Sequence, residues 1–324
     1  FLPPLAEKTK EHILERIREA GIVGLGGAAF PTYVKMTPRT PVDALVINGA
    51  ECEPYLTCDY RLMVEKYAEL LQGIRYLALA LGVDKIYIGI EENKPDCIER
   101  FAGEEDIVTV PLHERYPMGS EKHLIYSCTG RKVPCGKLPA DAGCVVQNVA
   151  TAYAVYEAVE LGKPLFERVL TVSGGAVQRP QNLLVPNGTA FSYILDYCGV
   201  DDSCAMIVDG GPMMGVAVAD RNVVTKKATS GLLALTKAET DGSAPTPCVS
   251  CGRCAQACPM HLMPMDIDFY TQNEDYEGAR DRGGVLNCIE CGSCAYVCPA
   301  KRPIVQSVRL AKAKLRELAA TNGK

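Results

Sequence analysis

The chain has 324 residues, 48% hydrophobic and 23% charged, with a net charge of −5 and 16 cysteines. Those fractions exclude a disordered chain, and the acidic balance leaves no basic footprint for nucleic acid. No apolar run approaches the eighteen residues of a membrane span, so the chain is expected to carry no transmembrane segment of its own.

Thr9 caps a first helix whose apolar positions Ile13, Leu14 and Ile17 recur at helical spacing, closed by Gly21. A glycine-rich stretch, 21–35, follows. The run DALVIN reads as a buried strand ending at Asn48 and Gly49. Asp59 is placed to cap a long helix with the stripe Leu62, Tyr67, Leu70, Leu71, Ile74 and Leu77, stopped at Gly82. KIYIGI and DIVTVPL are two further strands, with a short helix after Pro95 between them. Ser120 caps another helix, and 148–161 is an alanine-rich one. Strand–helix alternation of this kind predicts a layered α/β domain over 1–162. From Arg168 the texture changes: VLTVSGG, a turn at Pro186-Asn187-Gly188, a helix Phe191 to Cys198 and MIVDGGPMMG describe an α+β module over 163–240. DGSAPTP is a linker by composition. A cysteine-rich domain is expected over 245–305. A last amphipathic helix is expected from Val305 to Ala320, with 306–324 as the terminal segment, and carries Val308, Leu310, Leu315 and Leu318.

Two copies of one spacing fill the cysteine-rich domain: Cys248-x2-Cys251-x2-Cys254-x3-Cys258-Pro259 and Cys288-x2-Cys291-x2-Cys294-x3-Cys298-Pro299. This run wraps cubane iron–sulfur clusters, and the fourth cysteine of each run serves the other cluster. The expectation is two [4Fe–4S] clusters, one on Cys248, Cys251, Cys254 and Cys298, the other on Cys288, Cys291, Cys294 and Cys258. Paired Cys-x2-Cys also binds zinc, so a zinc-stabilised scaffold is the competing reading. The other eight cysteines fit no ligand spacing and read as small buried hydrophobes.

Gly24-Leu25-Gly26-Gly27-Ala28-Ala29-Phe30-Pro31-Thr32 with Lys35 has the composition of a phosphate cradle, since glycines let backbone N–H groups approach an anion. It follows a helix rather than a strand and does not keep the dinucleotide-fold spacing. Three constellations accompany it: Asn48-Gly49-Ala50-Glu51-Cys52-Glu53-Pro54 at a strand end, Tyr116-Pro117-Met118-Gly119-Ser120-Glu121-Lys122 at a helix start, and Gln147-Asn148-Val149-Ala150-Thr151 opening the alanine-rich helix. Strand ends and helix starts are where α/β sheets gather ligands.

The motifs GLGGAAFPTxxK, NGAECEP, YPxGSEK and VQNVAT resemble the flavin- and NADH-binding domain of the 51 kDa flavoprotein of respiratory complex I, and 168–240 resembles the β-grasp (SLBB-type) domain that follows it there. Joined to a two-cluster ferredoxin-like domain, and with TGRKVPCGKLPADAGCVVQNV and GGPMMG, the whole chain resembles the C subunit of the Rnf complex, an ion-translocating ferredoxin:NAD oxidoreductase. Rnf proteins of this kind also have an N-terminal domain, expected before Phe1. The resemblance implies that Gly24, Gly26, Gly27 and Lys35 embrace the FMN phosphate region, while Asn48, Glu51, Asn148 and Thr151 hold the ring and ribityl parts. It places Phe30 on the NADH adenine and Glu121, beside Gly119, at the nicotinamide as a positioning residue. It further implies hydride exchange between NAD(H) and FMN, single electrons through the clusters, and ferredoxin-like and membrane partner subunits at the cytoplasmic face of the cell membrane. Three departures bear on how NADH is held: Ala50 replaces an acid, Ser120 replaces the first of two glutamates, and Met36-Thr37-Pro38 lacks an aromatic. The alternatives are a cobalamin reductase of the propanediol-utilisation type and a non-catalytic electron relay.

Overall fold

The computed structural model describes residues 1–322 and divides the chain into two compact units, Phe1–Thr240 and a second beginning at Asp241. In the first, α1 (Lys10–Glu19) starts where the Thr9 hydroxyl accepts the His12 N–H at 3.3 Å. The order continues α2 (Thr32–Lys35), β1 (Ala44–Gly49), α3 (Cys58–Glu65), α4 (Tyr67–Leu81), β2 (Lys85–Glu91), α5 (Pro95–Ala102), β3 (Ile107–Leu112), α6 (Glu121–Thr129), β4 (Cys144–Asn148) and α7 (Val149–Glu160). The four strands are parallel, in the order β3-β2-β1-β4. Parallel strands need helical crossovers, and these cover both faces. Leu45 and Ile47 point into one core with Ile13, Ile74 and Val155; Ala44 and Val46 point into the other with Leu124 and Ile125. Alternate residues of one buried strand thus feed two cores.

The long helix expected from Asp59 is two helices. The backbone leaves helical geometry at Lys66 (φ −121°, ψ 34°). The stripe already contained the break: Leu62 to Tyr67 is five residues, off the helical period that Tyr67, Leu70, Leu71, Ile74 and Leu77 keep. Nor is Asp59 the cap. It lies in the first turn of α3, whose N-cap is Thr57. The orphan N–H groups of Asp59 and Tyr60 go instead to the Glu51 carboxylate, at 2.7 and 2.9 Å. Ser120 does stand at the N-cap of α6, but its hydroxyl pairs with the His123 ring and makes no capping bond.

The rest of the first unit is a mixed sheet: β5 (Glu167–Ser173), β6 (Gln181–Pro186), α8 (Phe191–Cys198), β7 (Cys204–Asp209), β8 (Val216–Val218) and β9 (Gly231–Thr236), with strand order β6-β5-β9-β7-β8. Phe191, Ile194 and Leu195 of α8 pack on Leu170, Val172, Leu232 and Ala234. The central strand β9 was not anticipated, because GLLALT is buried at five consecutive residues and shows no alternation.

The second unit contains α9 (Arg253–Gln256), α10 (Pro264–Gln272), α11 (Tyr276–Asp281), α12 (Ser293–Tyr296) and α13 (Ile304–Asn322). The expected end of the terminal segment at 324 lies outside the described residues. In α13, Val308 and Leu315 are buried with Ala311, while Leu310 and Leu318 are exposed. Among the described residues no helix is long and apolar enough to cross a membrane.

Candidate functional site

In the parallel sheet the connections after β1 run outward through β2 and β3, whereas β4 lies on the other side of β1. The β1/β4 junction is therefore the topological switch point, whose crevice at the strand C-termini is the usual ligand site of such folds. Asn48 and Asn148 are register partners there. Asn48 Nδ2 donates to Gly119 O at 2.9 Å, bringing in the start of α6. Asn148 Oδ1 caps α7 by accepting the Ala150 N–H at 2.8 Å, and its Nδ2 donates to Asp59 at 2.6 Å. The glycine loop closes on itself through Gly24 N–H to Phe30 O (2.9 Å) and is tied to α7 by Leu25 N–H to Thr151 Oγ1 (3.0 Å). Lys35 and Glu121 form an ion pair, and Phe30 stands 54% exposed at the loop tip. Gly24, Gly26, Gly27, Phe30, Lys35, Asn48, Glu51, Gly119, Glu121, Asn148 and Thr151 are thus assembled from four separate segments around one strand edge.

The loop lies directly on Asn148. A Cβ on Gly26 would stand 2.9 Å from Asn148 Nδ2, whereas one on Gly27 would meet nothing within 4 Å. Bare backbone facing open space, a lysine, and two amide side chains at a switch point fit a phosphate-bearing flavin. The electrostatics are unusual. Glu51 sits in left-handed backbone (φ 48°), and burial together with the neighbouring Asp59 charge pushes its carboxyl up to about 7. Burial also raises Asp59.

Two residues of this site, Lys94 and Arg168, had no role in the sequence expectations, and Cys52 entered them only within NGAECEP and among the cysteines expected to be buried. Lys94, just past the end of β2, donates to Ala50 O at 2.8 Å. Arg168 is buried, donates to Lys227 O at 2.7 Å and Leu25 O at 3.3 Å, and so joins β5 to the glycine loop. Cys52 packs against Gly119, with its thiol raised to about 11 by burial. The available signal for Lys94 was position, since ENKP (92–95) directly follows β2 of the same sheet. Nothing local marks Arg168. Cys58, Cys97, Cys128, Cys144 and Cys198 are buried as expected; Cys135 is exposed, and Cys52 and Cys204 are half-buried.

In the second unit the two cysteine runs cross. One cavity is lined by Cys248, Cys251, Cys254 and Cys298, the other by Cys258, Cys288, Cys291 and Cys294. The chain repeats itself around them. Ser250 and Glu290 occupy equivalent positive-φ positions (52° and 58°), and each donates its N–H to the thiol two residues back, on Cys248 and Cys288, at 3.4 Å. Leu262 N–H donates to the Cys258 thiol, four residues back, at 3.4 Å. Such N–H···S bonds tune cluster potentials. Burial and neighbouring thiols push Cys294 up to about 12, and burial raises Cys254 and Cys288. Four thiols crowded into each apolar cavity call for a cationic centre, and this donor set fits [4Fe–4S]. Around them, Asp268 accepts from Arg302 (2.8 Å) and Ser307 (2.6 Å), and Lys312 donates to Cys288 O and Glu290, both at 2.7 Å.

Comparison with known proteins agrees with this geometry. Residues 17–157 match the Nuo51 FMN-binding domain, and 241–299 the 4Fe-4S dicluster domain. The chain is 48% identical to the C subunit of the proton-translocating ferredoxin:NAD(+) oxidoreductase complex of Clostridium ljungdahlii, with 96% of this chain and 69% of that protein aligned. It is 43% identical to the Na(+)-translocating counterpart of Acetobacterium woodii (96% and 72%). It is 48% identical to the corresponding protein of the ion-translocating oxidoreductase complex of Rhodobacter capsulatus, aligned over 95% of this chain and 60% of that one. Among solved structures, an NAD+-reducing [NiFe]-hydrogenase in the H2-reduced state shares the fold, with TM-score 0.65 and 18% identity over 97% of this chain and 67% of that one. A flavin-type switch-point site, two crossed cysteine cages and these relatives together establish that the chain belongs to the C-subunit family of ion-translocating ferredoxin:NAD(+) oxidoreductase complexes.

Proposed function

We propose that this chain passes electrons between NAD(H) and partner subunits through FMN held in the first unit and two [4Fe–4S] clusters held in the second. The observation that carries the reading is the crossing of the cysteine runs into two four-thiol cavities: each cluster held there takes one electron while NADH gives two as hydride, so joining them needs a group that handles both. A bound flavin supplies that conversion, exchanging hydride on one side and single electrons on the other. The residues of the chain bind and orient. Gly24, Gly26, Gly27 and Lys35 hold the phosphate region, Asn48, Glu51, Asn148 and Thr151 the ring and ribityl parts, Phe30 the adenine, and Gly119 with Glu121 the nicotinamide side. No general acid is required, so Glu121 positions and does not transfer a proton. The domains follow the same division, with the FMN/NADH domain over 1–162, the β-grasp module over 163–240, the cluster domain over 245–305 and the terminal helix over 306–324.

By the same reading the chain sits peripherally at the cytoplasmic face of the cell membrane, wired to ferredoxin-like and membrane subunits that move the ion. Its likeness to the Clostridium and Acetobacterium proteins, which belong to proton- and Na(+)-translocating complexes, supports this.

The crossing gives the sharpest test. In anaerobically reconstituted protein, Cys298→Ser should perturb the magnetic resonance signal of the cluster bound mainly by the first run, and Cys258→Ser that of the other. If each serine instead disturbed the cluster of its own run, the crossed assignment would be wrong. A second unit that folds around zinc and takes up no iron when iron and sulfide are supplied anaerobically would remove the electron-transfer reading.

A further inference from the structure

Lys94 is a buried lysine in the first unit that the mechanism above does not use. β2 ends at Glu91, a turn follows, and Lys94 precedes Pro95 at the start of α5. Its side chain is 9% exposed and that of Glu91 is 6% exposed. The ammonium makes its shortest contacts with neutral oxygens, Ala50 O at 2.8 Å and Asn93 Oδ1 at 3.0 Å, while Glu91 Oε2 is 3.4 Å away. A buried charge must be paired and hydrogen-bonded, and here Glu91 supplies the pairing while the shortest hydrogen bond ties the ammonium to the strand end of the switch point. The carbonyl it holds belongs to Ala50, between Asn48 and Glu51 at the switch point, and the Ala50 Cβ is 3.5 Å from where a Gly119 Cβ would stand. With Glu51 and Asp59 both pushed toward their neutral forms by burial, this strand end carries less negative charge than its residue types suggest.

We propose that Lys94 is a positioning residue of the flavin site, anchoring the Asn48–Glu51 turn through the Ala50 carbonyl and placing a fixed positive charge beside the bound flavin that favours its reduced state. The proposal rests on the flavin reading given above. Transfer of a hydride from NADH adds two electrons and one proton to the site and releases NAD+, leaving one extra negative charge there. A buried ammonium close by stabilises that charge, because the interaction is little screened in a desolvated site.

The test is a redox titration of the flavin band in the full chain, with Lys94→Met removing the charge and keeping most of the stem, and Lys94→Arg keeping the charge. The expected result for Lys94→Met is an at least tenfold lower reduction equilibrium constant, equivalent to about 30 mV for a two-electron couple, with weaker FMN binding by fluorescence quenching. Lys94→Arg should recover most of the potential. An unshifted potential in Lys94→Met, or equal shifts in both variants, would overturn the proposal. If Lys94→Met does not fold, Glu91→Gln decides: removing the carboxylate while leaving the ammonium should raise the potential, and an unchanged potential rejects the idea. Wild-type protein that takes up no FMN would contradict the underlying flavin reading before any variant is made.

Discussion

Glu51 shows how one residue serves both fold and site. Its carboxylate takes the two N–H groups at the start of α3, and its backbone adopts a left-handed conformation at the strand end. Burial and the adjacent Asp59 raise its folded-state carboxyl to about 7, above the ordinary 4.5. The folded form therefore holds a proton that the unfolded chain has released. The stabilising contribution is complete below about pH 4.5 and is lost as pH rises through about 7. In flavin-free protein, urea denaturation across this window should show wild type losing stability relative to Glu51→Gln as pH increases. Parallel pH profiles for the two proteins would mean that Glu51 is ionised throughout. In the sequence this carboxylate stood out as one of two acids at a strand end, but its partner Asp59 looked like a helix cap. Only the fold brings the two together, because capping by a side chain from another segment leaves no local signature.

Among the elements, periodicity located most helices and parallel strands, and it failed where burial removes alternation or where a break hides inside one stripe. The α3/α4 break at Lys66 was readable as a slip of the helical period; β9 was not readable, since a central strand covered on both faces looks like any short apolar run. The crossing of α4 over α7 depends on Gly73, where an added Cβ would lie 2.0 Å from Ala152 O. Gly73→Ala, favourable by helix propensity alone, should destabilise the first unit by about 1–3 kcal/mol or more, as overpacking does. A neutral or raised melting temperature would show that the helices separate freely. In the second unit, Asp268 links α10 to Ser307 of α13 and to Arg302 just before that helix. Asp268→Ala strands a half-buried guanidinium and the Ser307 hydroxyl and should cost about 1–3 kcal/mol in chemical denaturation of the cluster-loaded protein. A loss below about 0.5 kcal/mol would place the pair among ordinary surface bridges.

For the molecule as a whole, the cysteine spacing alone specified the cluster unit, and the structure lines each cavity with the crossed membership that spacing implies. The α/β class followed from strand–helix alternation. The site was legible as four motifs, yet why they converge was not, because strand order is a long-range property: the placement of β4 beside β1 makes Asn48 and Asn148 neighbours across 100 residues of chain. Arg168 was invisible for the same reason, being a β5 residue whose role is to hold the loop at Leu25. Whether two-electron entry and one-electron exit are joined in this one chain is decided by an anaerobic NADH titration of cluster-reconstituted protein followed in the visible region, with the flavin afterwards released and identified. If they are joined, an FMN band bleaches first and cluster absorbance is lost after it. A bound flavin and intact clusters that stay oxidised in excess NADH would contradict that joining, leaving this protein as a relay that receives its electrons from elsewhere.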